Sequence, residues 1–304
     1  MGESTGNKGF IGFAKETEAG EAVEPTVYLA FDSETLAEAI DRAEAEGITG
    51  TRGRSKLRSV QTLKKPGGGF SLSGIKVEDL PLILELALGG AATGGSLGSI
   101  GLEETLPTFT IVVYKNVKKF TYAGCKMGKA SFSSSASNQL LALAVENVVA
   151  MTEAIADNNL TPSYVSTQRP LTHRDSTLTV DSTPIAVEEI RIDVENTLDD
   201  NIFRNSQTRL HISEDDRKVG GQAVIGWNSD NYTNALAKFY SGATAAIAVS
   251  WTDGTRTLAI SLPYVYFTGE TPQIGGRKVM NMNLPFEAKD SADGANDSVE
   301  IILS

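Results

Sequence analysis

Alternation of apolar and polar residues dominates this chain, and such alternation marks strands with one buried face. The cleanest run puts Ile190, Ile192 and Val194 on one face and Glu189, Arg191, Asp193 and Glu195 on the other. Two long blocks, 109–150 and 187–303, carry most of the pattern. In the first, strands are predicted at 109–114, 119–122, 126–133 and 140–149, with Asn116 in a turn. Both faces of 140–149 are apolar, as in a strand covered on two sides. In the second, strands are predicted at 187–195, 208–213, 222–227, 245–251, 258–262, 264–267, 279–286 and 299–303. Shorter ones are expected at 27–31 and 178–180. Asp253-Gly254 is a strong turn signal between two of them. The fold class is therefore mainly β, a sandwich or barrel with flanking short α-helices and long loops.

Helical spacing is confined to three places. In 33–46, Leu36, Ala39, Ile40 and Ala43 recur on one helix face, with Ser33 as cap and Gly47 as stop. Asp79 and Pro81 suit the start of a helix striped by Leu82, Ile83, Leu86 and Leu88 and ended by Gly89 and Gly90. Asn231 suits the cap of a helix running to Tyr240 and stopped at Gly242.

Loops fill the rest. Lys-Pro-Gly-Gly-Gly at 65–69 reads as a turn or flexible link, and 91–101 as a flexible segment. Residues 196–206 read as a polar loop, and 290–297 as an acidic one. Glu214, Asp215 and Asp216 read as a tight acidic turn. Residues 1–25 read as an extended, glycine-rich arm, with Phe10, Ile11 and Phe13 as anchors for a neighbour. Residues 26–304 then form a single elaborated β-domain. Its approximate halves, 26–150 and 180–304, each carry a short helix, then glycine, then strands, an echo of the kind an internal duplication leaves.

Charge changes the picture. The formal net charge is -11, and an acidic surface repels nucleic acid and anionic membrane at long range. That argues against a protein that grips DNA, but not against one that lets DNA slide past. Against this background Arg52, Arg54, Lys56 and Arg58 stand out, followed by Lys64 and Lys65, with no acidic residue between Gly47 and Val77. Their alternate spacing places the first four on one face of a strand, suited to an acidic surface of another subunit. A solvated loop face is the plainer reading.

Candidate chemistry is sparse. His173 lies beside Arg174 and Asp175 without a nucleophile elbow, and His211 falls in a strand. The two histidines have no metal-ligand spacing. Glu188 and Glu189 are adjacent, so they point to opposite faces of a sheet rather than pairing. No Gly-Lys-Ser/Thr follows the glycines at 67–69, and 214–216 lacks the alternation of a calcium loop. Cys125, the single cysteine, cannot form an internal disulfide and reads as a small core residue. No catalytic residue, cofactor or metal site is expected. Residues 1–15 show no apolar signal region, and no stretch approaches 18 apolar residues. Synthesis in a cytoplasm, without membrane insertion, is the matching expectation.

Three markers, in order, give the chain a resemblance. The first is Lys15, Glu16, Gly20, Ala22, Pro25, Thr26, Tyr28 and Leu29. The second is Tyr122-Ala-Gly124-Cys125-Lys126. The third runs from Leu262-Pro263 to Phe267, then through Asn283-Leu284-Pro285-Phe286. Together they resemble the tail tube proteins of long-tailed, siphovirus-like bacterial viruses. The resemblance implies a tail-tube-like β-sandwich or barrel, six copies in a ring, and rings stacked into a tube through which double-stranded DNA passes without specific binding. It implies a place in the virion tail, with tail terminator, tape measure and baseplate proteins as partners, and no catalysis. Within that frame, Glu189, Arg191, Asp193 and Glu195 are candidates for the lumen face. Arg52, Arg54, Lys56 and Arg58 are candidates for contacts with acidic stretches of another copy, Glu214 to Asp216 or 290–297. A head–tail completion, baseplate or decoration protein is the alternative, and a β-rich enzyme or carbohydrate-binding protein a second.

Overall fold

The alternating pattern becomes eighteen strands in a computed structural model that describes residues 5–48, 50, 52–53, 55–93, 97–164, 167–274, 277, 279–292 and 297–304. In chain order they are β1 (Phe10–Lys15), β2 (Val27–Leu29), β3 (Ser33–Glu34), β4 (Ala37–Glu44), β5 (Ser59–Ser73), β6 (Ser99–Ile100), β7 (Phe109–Tyr114), β8 (Lys119–Ser135) and β9 (Ala142–Val149). Then follow β10 (Thr152–Ala156), β11 (Ser176–Val180), β12 (Thr183–Ile185), β13 (Val187–Asp199), β14 (Ser213–Gly226), β15 (Ala245–Thr252), β16 (Thr257–Phe267), β17 (Asn281–Ala288) and β18 (Glu300–Leu303). The helices are α1 (Leu80–Leu88), α2 (Ser229–Asn231) and α3 (Ala237–Ser241), the last two joined by a π turn.

The strands make a β-sandwich-like body in which β8 belongs to both layers. Its first half lies between β7 and β10, and β7 continues to β1 and β2. Its second half lies between β9 and β13 in the larger layer, which runs β4–β5–β9–β8–β13–β14–β17–β16. From β16 the sheet continues through β15 to β11 and β12, and through β18 to β6. The crossover in β8 is at Gly124, whose φ of 65° is open to glycine and strained for other residues.

Inward positions match the alternation: Ile190, Ile192 and Val194 are buried, as are Trp251, Tyr122, Phe13, Phe109 and Phe132. α1 carries core residues on almost every side, with Leu80, Ile83, Leu84, Leu86, Ala87 and Leu88 all buried, and packs on β8 and β1. Truncating Leu84 to alanine is expected to cost about 3 kcal/mol, as large-to-small core changes do; chemical denaturation checks it.

Several elements differ from the sequence reading. Residues 33–46 form β3 and β4, not a helix. Lys65 to Gly69 lies inside β5 rather than in a turn. The glycines there serve close approach: a Cβ at Gly67 would sit 2.7 Å from the Val148 carbonyl, and Gly68 and Gly69 press on the carbonyls of Thr35 and Val145. The acidic triplet 214–216 belongs to β14, and 208–212, expected as strand, is irregular. The expected loop at 196–206 begins only after Asp199, because Asn196 is buried in β13 and donates to the carbonyls of Ala87 and Met127. Residues 119–122 and 126–133 form one strand, and Pro263 is spanned by β16. Asn228, not Asn231, caps the second helical segment through its side chain, 2.8 Å from the Asn231 amide. Asp79 precedes α1 without a capping bond, although Gly89 ends it as expected. Phe10, Ile11 and Phe13, read as anchors for a neighbour, form β1 inside this chain's own core.

Candidate assembly surfaces

The polar face of β13 is built by period two. Glu189, Arg191, Asp193 and Glu195 share the side opposite the buried Ile190, Ile192 and Val194. Arg191 bonds Asp193 at 2.8 Å, and Ser131 of β8 donates to the same carboxylate. Registration sets Ser131, Ser133 and Ser135 of β8 opposite Asp193, Arg191 and Glu189, and Lys129 opposite Glu195. On the other side Gln222 and Lys218 of β14 face Arg191 and Glu195. The result is a hydroxyl-rich sheet face of mixed, internally paired charge. Such a face stays wetted and offers a polyanion little to hold.

The second surface is the β4–β5 hairpin. The four cations do not share a strand face: Arg52 lies in a bend, Lys56 and Arg58 in a 3-10 turn, and Arg54 lies outside the described residues. The physical reason is Ser55, whose hydroxyl accepts from the Leu57 amide and closes that turn. Arg58 then donates to the Gly47 carbonyl at 2.9 Å, tying the two arms. The tip bares apolar side chains: Ile48 is fully exposed, Leu57 is 83% exposed and Val60 60%. Among the described residues β4 pairs with β5 alone, which leaves its outer edge open, and β10 pairs only with β8.

The third is an acidic cleft of about 310 Å³ whose lining includes Glu103, Glu104, Asp215, Asp216, Glu287 and Asp290. Asp215 and Asp216 are exposed in it. Glu214 is occupied within the chain, accepting from Lys126 Nζ at 2.5 Å and the Leu106 amide at 2.9 Å. Of the 290–297 stretch, Asp290 lines the cleft while 293–296 lie outside the described residues. The tip cations and the cleft carboxylates lie on different elements, although Glu44 and Glu46 share the hairpin arm and Arg217, Lys218 and Lys289 also line the cleft.

The histidines have structural settings. His173 Nδ1 is 3.1 Å from Ser134 Oγ, and Nε2 is 3.2 Å from the Val187 carbonyl. Trp251 Nε1 donates to the same Ser134 hydroxyl, which is buried. Asp175 turns away to Arg169, Thr172 and Arg174, so no triad forms. His211 is exposed outside any strand, which corrects its expected place. Cys125 is fully buried, and burial pushes its thiol up, away from nucleophilic use. Among the described residues no group of histidine, cysteine and carboxylate side chains fits a metal ion.

Asp175 gives a pH-dependent strap. Arg169, with Thr172 and Arg174, pulls its carboxyl down to about 2. Arg169 also donates to the Thr252 and Asp253 carbonyls, so the pair pins the preceding loop to the β15–β16 turn. A lowered folded pKa means that this contribution is full above the ordinary carboxylate range and is lost as pH falls through about 2. A carboxyl titration followed by NMR should show that midpoint, and Arg169→Gln should raise it.

Three charged groups are buried in ways the sequence reading did not foresee, although Glu16 and Lys126 stand among its family markers. Glu16 Oε1 accepts from the Thr110 hydroxyl and the Gly124 amide, each at 2.8 Å, and Oε2 accepts from Gly20 at 2.9 Å. It fixes the turn after β1 and the crossover in β8 together. Arg209 bonds the carbonyls of Pro66 and Ala150 and pairs with Asp200. Lys126 reaches the Ile212 carbonyl and Glu214. Lone charged residues in strands and loops look solvated until the fold closes over them.

A β-sandwich-like body with paired interior charges, bare strand edges and a bare hairpin is the architecture of a structural building block. A family model for the phage tail tube protein matches residues 6–288, and the chain belongs to that family. Its place is the phage virion tail, and its role there is structural. No curated protein matches the sequence. The first family marker is explained physically by this fold: Glu16 and Gly20 close one turn, the Thr26 amide bonds the Phe13 carbonyl, and Leu29 is buried in the core.

Proposed function

We propose that six copies close into a ring and that rings stack into a hollow tube conducting double-stranded DNA. The observation that carries this reading is the β4–β5 hairpin, with its unpaired edge, exposed Leu57 and Val60, and cationic tip. Bare edges are aggregation hazards unless a partner covers them, and the edges of β4 and β10 provide for neighbours around a ring. The tip of one copy, carrying Arg52, Arg54, Lys56 and Arg58, meets the acidic β14 end of another, where Asp215 and Asp216 are exposed. Such contacts are heterologous along the axis, so they elongate rather than close. The β13 face with Glu189, Arg191, Asp193 and Glu195 lines the lumen, where DNA presents one charge per ~1.7 Å. Mixed charge and net acidity let it pass. Tail terminator, tape measure and baseplate proteins meet the tube ends, and the subunit is made in the host bacterial cytoplasm.

Electron microscopy of the purified chain over a range of concentration and salt tests this. Hollow tubes or six-fold rings are expected. Discrete rings that never stack would replace the tube with a connector role, and a persistent monomer under every condition counts against self-assembly.

A further inference from the structure

We propose that the chain is two tandem repeats of one fold, 10–156 and 176–303, and that three copies of it, six repeats in all, close the ring. The joint between copies is β4 of one against residues 268–274 of the next. The inference rests on the ring-and-tube reading above and changes only how its six positions are filled.

The repeat is written in the strand pairings. β1, β2, β4, β5 and β7 to β10 correspond, in chain order, to β11 to β18. The first set makes seven antiparallel pairings: β1–β2, β1–β7, β4–β5, β5–β9, β7–β8, β8–β9 and β8–β10. The second set makes the same seven: β11–β12, β11–β15, β13–β14, β14–β17, β15–β16, β16–β17 and β16–β18. The helices fall at the same point, α1 after β5 and the α2–α3 segment after β14, and each ends on a glycine of positive φ, Gly89 or Gly242.

The match extends to irregularities that topology alone does not dictate. Between Phe109 and Ile111 of β7 the partner in β8 jumps from Cys125 to Tyr122. Between Ala245 and Ile247 of β15 the partner in β16 jumps equally, from Val265 to Leu262. In the hairpins, Ile40 to Arg42 faces Lys64 to Gln61, and Asn196 to Leu198 faces Arg217 to Glu214. This alignment sets Gly67 on Gly220, and both meet the equivalent carbonyl: a Cβ would sit 2.7 Å from that of Val148 in one and 2.8 Å from that of Phe286 in the other. Bulges are inherited within a fold, so their coincidence marks one duplicated unit.

One complete joint between repeats lies inside the chain. β13 runs antiparallel to the second half of β8, from Glu189 opposite Ser135 to Glu195 opposite Lys129. The equivalent joint has both of its parts but not their contact. β4, the counterpart of β13, has an open outer edge among the described residues. Residues 268–274, the counterpart of 128–134 in β8, belong to no strand, and Ile274 is 81% exposed. One part in each repeat, left open, fits the other across copies, head to tail, and such contacts repeated about an axis close a ring. Pairing also covers the edge that β4 leaves bare. The register of the internal joint, carried over, sets Ala37 opposite Thr271. Each copy spans two positions, so six positions take three copies.

Ala37→Cys combined with Thr271→Cys tests the joint. Both positions are exposed, and directly opposed residues of an antiparallel pair lie within disulfide reach. Cys125 is buried and stays out of the reaction. Oxidised tubes of the double variant should yield covalent species of two and three chains and none larger, while each single change yields none. Mass measurement of isolated rings should count three copies. Urea midpoints equal to that of the unmodified chain show an intact body. Rings of six copies, or assembled double variant that stays uncross-linked, overturn the proposal and leave the self-assembly reading standing. An unmodified chain that forms neither rings nor tubes overturns both.

Discussion

Replacing Arg52, Arg54, Lys56 and Arg58 together by glutamate is expected to yield a folded chain that no longer builds tubes. The fold should survive because the described members of this set lie outside the core, and the one tie they make, Arg58 to the Gly47 carbonyl, is confined to the hairpin. Arg52 is exposed, and Lys56 and Arg58 sit on a turn closed by Ser55. Exposed substitutions of this kind change stability by about 0.5 kcal/mol or less. On the proposed contact between hairpin tip and acidic cleft, assembly should fail because each reversal would turn an attraction to carboxylates into a repulsion. At about 1 kcal/mol per position, four positions raise the threshold concentration by roughly three orders of magnitude. Salt supplies the control. The Debye length falls from about 10 Å at 0.1 M to about 3 Å at 1 M, so the unmodified chain should need more protein to assemble as salt rises. Tubes of ordinary length from the reversed variant would remove this patch from the assembly contacts.

The second large effect is expected inside the subunit. Arg209→Ala should lower stability by about 3–5 kcal/mol, the range for breaking a buried ion pair. Asp200 is partly exposed and recovers some hydration, which places the value near the lower end. The carbonyls of Pro66 and Ala150 would also lose the donors that join β5 to the segment after β9. Arg209→Lys should recover only part of the loss, because an ammonium cannot reproduce the planar fork. Urea denaturation of the two variants reads the difference directly. Equal midpoints for alanine and the unmodified chain would show that the loop from 200 to 212 is held by other means. One such tie is the bond from the Lys64 amide to the Gln207 carbonyl.

Legibility in the sequence followed burial. Ile190, Ile192 and Val194 alternate with charge, and the strand they form has the predicted inward face. Phe109–Tyr114 was readable to the residue, because an apolar run ending at Asn116 leaves one reading. The family markers were visible too, and they carry the functional assignment that no side-chain chemistry supplied. What failed lay where tertiary pairing overrides local preference. Gly67, Gly68 and Gly69 look like a link until β9 and the turn at Thr35 close over them. Glu214 looks solvated until Lys126 is seen beneath it. Arg52 and Lys56 kept their exposure but share no strand face, since one serine hydroxyl turned the strand spacing around Lys56 and Arg58 into a 3-10 turn. Buried charges such as Glu16 and Arg209 carry no local signal, because their partners lie far away in sequence.

The continuity of β8 has a mechanical consequence. One strand of 17 residues threads both layers, bonded along its first half to β7 and β10 and along its second to β9 and β13. A hinge between the layers would have to shear that strand out of register, breaking several ladders at once. Each subunit therefore behaves as a stiff brick with no internal joint. A tail made of such bricks must bend at its mortar: curvature under load is absorbed where copies meet rather than within a subunit.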